Sequence, residues 1–256
     1  MESHVYKSTP QRELSLDVFT PTGDADAPRP AVVFFHGGGW NNGAPGQFYG
    51  QARHLAERGM IGISAQYRLK NEDDATPIDA AADALSAVRW VRAHAEQLGL
   101  DPERLGAGGG SAGGQLAAVT ATLDQAVVDQ LAGDEDTTAS PRPDALLLFN
   151  PVYDNSPEGF GSKRFDDRWE TFSPLHNLHD GMPPTFVVLG DSDELIPVAT
   201  AEAFRDRMRE LGVRSELTVY EGQPHGFFNK RDTGMFDQTV QAMDDFLTSL
   251  GWLEPK

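Results

Sequence analysis

Gly109-Gly110-Ser111-Ala112-Gly113 is the stretch on which the reading of this chain turns. It follows a short apolar segment, Arg104 to Gly108, that reads as a buried strand, and it opens a run of small and aliphatic residues, Gln115 to Leu123, that reads as a helix. A serine with glycine two residues before it and two after it has a mechanical explanation at such a turn. The serine holds a strained backbone with its hydroxyl pointing out of the sheet, and side chains at the flanking positions would strike the adjoining strand or helix. The pattern is a nucleophile elbow with Ser111 as its candidate nucleophile. With 26 glycines among 256 residues the flanking alone is a weak signal, so the rest of the chain must supply a base, an orienting acid and hydrogen-bond donors.

No composition break, low-complexity tract or repeat divides the sequence, and residues 1–256 read as a single domain. There is no cysteine, which removes disulfides, thiolate metal sites and a cysteine nucleophile. Met1 to Lys7 lacks the basic start and apolar run of a signal peptide, and no stretch approaches the length of a membrane span. The expectation is a cytoplasmic protein with no membrane partner. With 39 acidic against 21 basic side chains, a net charge of -18, the surface repels nucleic acid and disfavours polyanionic substrates.

The remaining segments alternate between strand and helix patterns. Val5 to Lys7 and Leu14 to Phe19 read as an antiparallel pair, and Thr20 to Pro30 as a surface connection. Ala31 to Phe35 is a continuous apolar run, as a strand buried on both faces should be, and it ends in His36-Gly37-Gly38-Gly39-Trp40. A helix over about Gln47 to Arg58 precedes a strand at Met60 to Ser64. Thr76-Pro77 starts a helix with inward residues Ile78, Ala81, Leu85, Val88 and Val91 that runs to Gly99. Asp129 to Asp144 reads as an acidic loop, Ala145 to Phe149 and Thr185 to Leu189 as strands, and Asp154 to Gly181 as an aromatic-bearing cover over the site. A helix from about Val198 to Leu211, a strand from Ser215 to Tyr220 and a closing helix with the stripe Phe236, Val240, Met243, Phe246 and Leu250 complete the chain. Such alternation implies an α/β fold with a mostly parallel sheet, and ligands bind at the carboxyl ends of its strands.

Ser111, the glycine run after Phe35 and the loops after Leu189 and Tyr220 all fall at that edge. A serine hydroxyl needs a base within hydrogen-bonding reach and a group that orients the base. Of the seven histidines, His225 alone follows the last strand directly at the functional edge, and it is the candidate base. Asp193 is the preferred orienting acid; Asp191, beside Gly190, suits a turn cap, and Asp154 is a remote alternative. Gly38, Gly39 and Ala112 are the candidate oxyanion donors, with Gly37 as the adjacent possibility. A phosphate loop is disfavoured because no lysine stands at the needed offset. Trp40, Trp169, Phe172 and Phe227 are candidate pocket walls. No metal or cofactor is called for.

His36-Gly37-Gly38-Gly39-Trp40, Tyr67-Arg68-Leu69, the elbow, Gly190 to Asp193 and His225-Gly226-Phe227 together resemble the α/β-hydrolase fold, and within it the esterases with a His-Gly-Gly-Gly oxyanion motif, the hormone-sensitive-lipase-like and acetyl- or feruloyl-esterase groups. The resemblance implies an eight-stranded sheet with helices on both faces, and makes His36 a structural anchor, not the base. Two departures, Lys70-Asn71-Glu72 in place of the usual Ala-Pro-Glu and the lack of N-terminal cap helices, point to a compact group with a minimal cap, associated with acetyl esters of carbohydrates. The implied activity is hydrolysis of short acyl esters, sugar or xylan acetyl esters among them. Amide hydrolysis on the same triad is the alternative enzyme, and a non-catalytic ligand receptor on this fold is the alternative of another class.

Overall fold

The computed structural model describes residues 1–23, 27–229 and 233–255. Eight strands form one sheet: β1 (Glu2–Ser8), β2 (Glu13–Phe19), β3 (Arg29–Phe35), β4 (Ile61–Ala65), β5 (Leu100–Gly110), β6 (Ala145–Phe149), β7 (Thr185–Gly190) and β8 (Ser215–Tyr220). Their spatial order is β1-β2-β4-β3-β5-β6-β7-β8. β2 is antiparallel to both β1 and β4, and the remaining pairs are parallel. This is the α/β-hydrolase fold, and it puts the end of β5 in the middle of the carboxyl edge. Of the connection at 20–30, residues 24–26 lie outside the described residues.

The apolar runs of the central strands follow from burial on both faces. Val33 and Phe35 join one hydrophobic cluster while Val32 and Phe34 join the other, and Leu146 and Leu148 alternate with Leu147 and Phe149 in the same way. The helices Pro77–Ala93, Ala112–Thr122 and Val198–Glu210 cover the first face, and Tyr49–Glu57 and Met235–Ser249 the second. Each large side chain so buried contributes roughly 1.5–3 kcal/mol. Thr76 caps its helix as its sequence suggests: its hydroxyl accepts from Asp79 N–H at 3.2 Å, and the Asp79 carboxylate accepts from Thr76 N–H at 2.8 Å.

Three expectations need correction. The loop expected at 129–144 begins as a helix, Gln125–Ala132, held by buried Val128 and Ala132 one turn apart. The helix expected to run to Gly99 breaks at His94, whose ring nitrogen Nδ1 binds the Trp90 carbonyl at 2.8 Å, and resumes as Ala95–Leu98. Leu250, expected in the inner stripe of the closing helix, lies just past its end and is half-buried, packed against the second cluster. Among the described residues no helix is long and apolar enough to cross a membrane.

Candidate active site

The elbow is as constrained as its composition implies. Ser111 has φ 55° and ψ -119°, a conformation that costs a non-glycine residue about 1–3 kcal/mol. Its backbone is held on both sides: the N–H donates to the Phe149 carbonyl at 3.0 Å, and the carbonyl accepts from Gln115 and Val152 N–H, each at 3.1 Å. The glycines leave no alternative. A Cβ on Gly113 would lie 2.1 Å from the Phe35 carbonyl oxygen, and one on Gly109 would lie 2.5 Å from both that oxygen and Gly113. Gly110 faces Phe228, whose Cζ would stand 2.6 Å from an added Cβ, so the segment after His225 packs directly under the turn.

The loops after β7 and β8 bring Asp193 and His225 together. His225 Nδ1 and Asp193 Oδ2 are 2.7 Å apart, with the carboxylate fully buried and the imidazole 23% exposed. Asp193 Oδ1 accepts from the N–H groups of Leu195 and Ile196, both at 2.9 Å, which fixes its rotamer. Burial alone would raise this carboxyl, but the His225 hydrogen bond, the two N–H donors and the imidazole charge outweigh it and hold its pKa below the ordinary carboxylate value. Asp191 has a different job: it accepts from Gly222 N–H at 2.7 Å and so caps the turn before His225. Asp154 accepts from Ser156 N–H within its own loop and lies 3.9 Å from His176.

On the other side of Ser111 the glycine run presses on the elbow. A Cβ on Gly37 would come within 3.3 Å of Ser111 Cβ. Each carbonyl of the run is anchored: Gly37 by His36 Nδ1 at 2.8 Å, Gly38 by the N–H groups of Asn41 and Asn42 at 3.1 and 3.3 Å, and Gly39 by Arg164 Nη1 at 2.6 Å. In a trans peptide the carbonyl and the following N–H point to opposite sides. The N–H groups of Gly38, Gly39 and Trp40 therefore face away from these anchors. Ala112 opens the elbow helix, where the first N–H groups have no partner within the helix. Gly37 N–H is taken by Gln47 Oε1 at 2.5 Å, which removes it as an alternative donor. His36 is buried, stacked on Tyr67 at 4.3 Å, and receives the Tyr67 hydroxyl on its carbonyl. Burial pushes its pKa down from 6.5 to about 4 despite the Gly37 contact, so it is neutral at neutral pH and anchors the loop.

The aromatic residues expected as pocket walls divide differently. Trp40, Phe172 and Phe227 are at most 1% exposed, whereas Trp169 is half-buried, with its ring edge-on to His176. Trp40 packs against Phe160 and Phe165, and Phe227 against Tyr220 and Phe228 on the opposite face of the sheet. Three further residues complete the site. Asn150, with φ 36°, bonds Gly226 N–H at 3.0 Å through Oδ1 and puts Nδ2 3.4 Å from His225 Nε2. That contact helps hold the ring with Nδ1 toward Asp193. Buried Gln115 accepts from Trp40 Nε1 at 3.3 Å and donates to the Phe172 carbonyl at 2.9 Å, tying elbow, glycine loop and cover together. Arg164 is the third. The asparagine at a strand end, where the left-handed region is tolerated, was the one signal in the sequence for any of them. Among the described residues no group of three or more histidine, aspartate or glutamate side chains could hold a metal ion.

Residues 16–158 match the BD-FAE family and residues 169–254 the Dienelactone hydrolase family. A probable isoprenylcysteine alpha-carbonyl methylesterase of Oryza sativa subsp. japonica is 32% identical, over 87% of this chain and 56% of that protein. Lipase 2 of a Moraxella species is 29% identical over 84% of this chain and 59% of its own length. The carboxylesterase NlhH of Mycobacterium tuberculosis is 31% identical, with 78% and 67% covered. This chain thus spans less than two thirds of the first two relatives. Among solved structures, a thermophilic esterase of the planctomycete Thermogutta terrifontis with propionate bound superposes with a TM-score of 0.92 at 39% identity, covering 100% of this chain and 96% of that one. The same esterase has been solved with butyrate bound and phosphorylated by paraoxon, at 38% and 39% identity and TM-scores of 0.91 and 0.92, with the same coverage.

Proposed function

The chain belongs to the BD-FAE family, and on that premise we propose that it is a carboxylic ester hydrolase working through an acyl-enzyme on Ser111. The observation that carries the reading is the 2.7 Å contact between His225 Nδ1 and a fully buried Asp193 carboxylate, at the same sheet edge as the strained Ser111 turn. Ser111 Oγ attacks the acyl carbon and its proton passes to His225 Nε2. Asp193 keeps the imidazole in the Nδ1–H tautomer and stabilises the imidazolium while staying ionised. The negative charge developing on the carbonyl oxygen is received by the N–H groups of Gly38, Gly39 and Ala112. The C–O bond to the alcohol breaks as His225 returns the proton to the departing oxygen. Water then repeats the sequence on the acyl-enzyme, releasing the acid and restoring the serine. The cycle draws on no cofactor or metal.

Residues 1–256 act here as one domain, with 154–181 as its substrate-covering insertion. Short acyl groups are the substrate class. The reading is supported by the Thermogutta esterase, which has been captured with propionate and with butyrate. Acetylated sugars or xylan fragments are the proposed alcohol class, on the strength of the resemblance to carbohydrate acetylesterases. The test is turnover of p-nitrophenyl acetate, butyrate and octanoate by the wild type and Ser111→Ala. Activity that falls with chain length and vanishes in the variant is expected, and full activity in the variant contradicts the reading. Faster turnover of formyl or aminoacyl amides than of esters would make it an amidase.

A further inference from the structure

We propose that Arg164, a residue of the cover, is a positioning residue for the oxyanion loop. The inference rests on the donor role assigned above to Gly38 and Gly39. Gly39 and Trp40 have φ of 62° and 59°, two consecutive left-handed residues, and the second carries a bulky side chain that disfavours the conformation. Rotation of the peptide between them changes ψ of Gly39 and φ of Trp40 together. That rotation would return Trp40 to its preferred region and turn the Gly39 carbonyl toward the side its neighbours' N–H groups face. Arg164 Nη1 donates to this carbonyl at 2.6 Å, a charge-assisted bond that opposes the rotation.

The guanidinium is itself held in place. It lies 5.8 Å from the centre of the Trp40 ring and 5.4 Å from that of Phe160, so it bridges the loop and the cover. Its backbone N–H donates to the Gly161 carbonyl at 2.9 Å, and Gly161 fits so closely on Trp40 that an added Cβ would come within 3.0 Å of the indole. The other anchors of Trp40 act elsewhere. Lys70 N–H binds its carbonyl at 2.9 Å and Gln115 its indole nitrogen at 3.3 Å, which leaves the Gly39–Trp40 peptide plane to Arg164. A planar guanidinium that stacks and donates at once suits this task, whereas an ammonium reaches the carbonyl without the stacking.

The experiment compares wild type, Arg164→Met and Arg164→Lys for kcat and KM on p-nitrophenyl acetate, for inhibition by an alkyl trifluoromethyl ketone, which forms a tetrahedral oxyanion on the serine, and for thermal midpoint. Arg164→Met is expected to lower kcat by about 10- to 100-fold with KM within about threefold, and to weaken the ketone by the same factor as kcat/KM. Arg164→Lys should recover part of both losses. Unchanged kcat in folded Arg164→Met, or a kcat loss that the ketone does not share, overturns the proposal. If Arg164→Met does not fold, the lysine variant decides: lower kcat and weaker ketone binding at an unchanged midpoint support the role, and wild-type values refute it. A wild type inert toward all esters is a separate result, and it strikes the proposed function itself.

Discussion

The carboxyl edge of the sheet and the cover above it are built by opposite means. At the edge, backbone packs on backbone: Gly113 and Gly109 sit against the Phe35 carbonyl, and Gly190 lies so near the Gln223 carbonyl that a Cβ would stand 1.9 Å away. Over 154–181, side chains do the holding. Arg164 reaches Gly39, Gln115 reaches Phe172, and the Ser173 hydroxyl accepts from Asn155 N–H at 2.9 Å. The edge has no freedom to vary without losing the turn that presents Ser111. The cover is joined to the edge through the packing of Phe160 and Phe165 on Trp40 and through a few polar side chains, Arg164 and Gln115 foremost.

If that division is right, the largest effects come from the edge. Asp193→Asn should lower kcat by about four powers of ten, because an amide cannot hold the imidazole in the required tautomer. Asp191→Asn, two residues away, should stay within a few-fold of wild type, since an asparagine oxygen can still accept from Gly222 N–H. Steady-state kinetics on p-nitrophenyl acetate separate the two, and the reverse order would move the acid to Asp191. Gly113→Ala comes next. Its new Cβ meets two carbonyl oxygens, at 2.1 and 2.4 Å, and chemical denaturation should show a loss of about 3 kcal/mol or more. A stability equal to wild type would show that strand and elbow helix can part, and the contrast with the cover would fail.

The smallest effect belongs to Gln115, one of the links between the two regions. Gln115→Leu keeps the volume but leaves Trp40 Nε1 and the Phe172 carbonyl without their partner, a cost of about 1–3 kcal/mol. Its thermal midpoint should fall while kcat for p-nitrophenyl acetate changes less than in Asp193→Asn. A kcat loss as large as that of Asp193→Asn would mean that the cover belongs to the chemistry.

This asymmetry also decides what was legible in the sequence. The sheet and its order of loops could be read because burial on both faces writes continuous apolar runs, as in Ala31 to Phe35, and because close approach writes glycine. The capping contact of Asp191 was inferable from Gly190, which marks a tight turn where a capping carboxylate fits. The cover was not readable beyond its aromatic content. It consists of short 3-10 turns and one four-residue helical turn, Trp169–Phe172, with no period to follow. Arg164 and Gln115 act through contacts 125 and 57 residues away along the chain, and neither leaves a local pattern. That Phe172 and Phe227 are buried was not legible either, because an aromatic near a site looks the same in sequence whether it faces a ligand or the core.

The central claim is that Ser111 is the nucleophile at this edge. Incubation with paraoxon, followed by intact-mass and peptide mass spectrometry, tests it most directly. The account predicts one diethylphosphoryl group per chain, located on Ser111, with esterase activity lost in step with labelling and no adduct in Ser111→Ala. Stoichiometric labelling of another residue accompanied by loss of activity, or an active enzyme with Ser111 fully labelled, would contradict it.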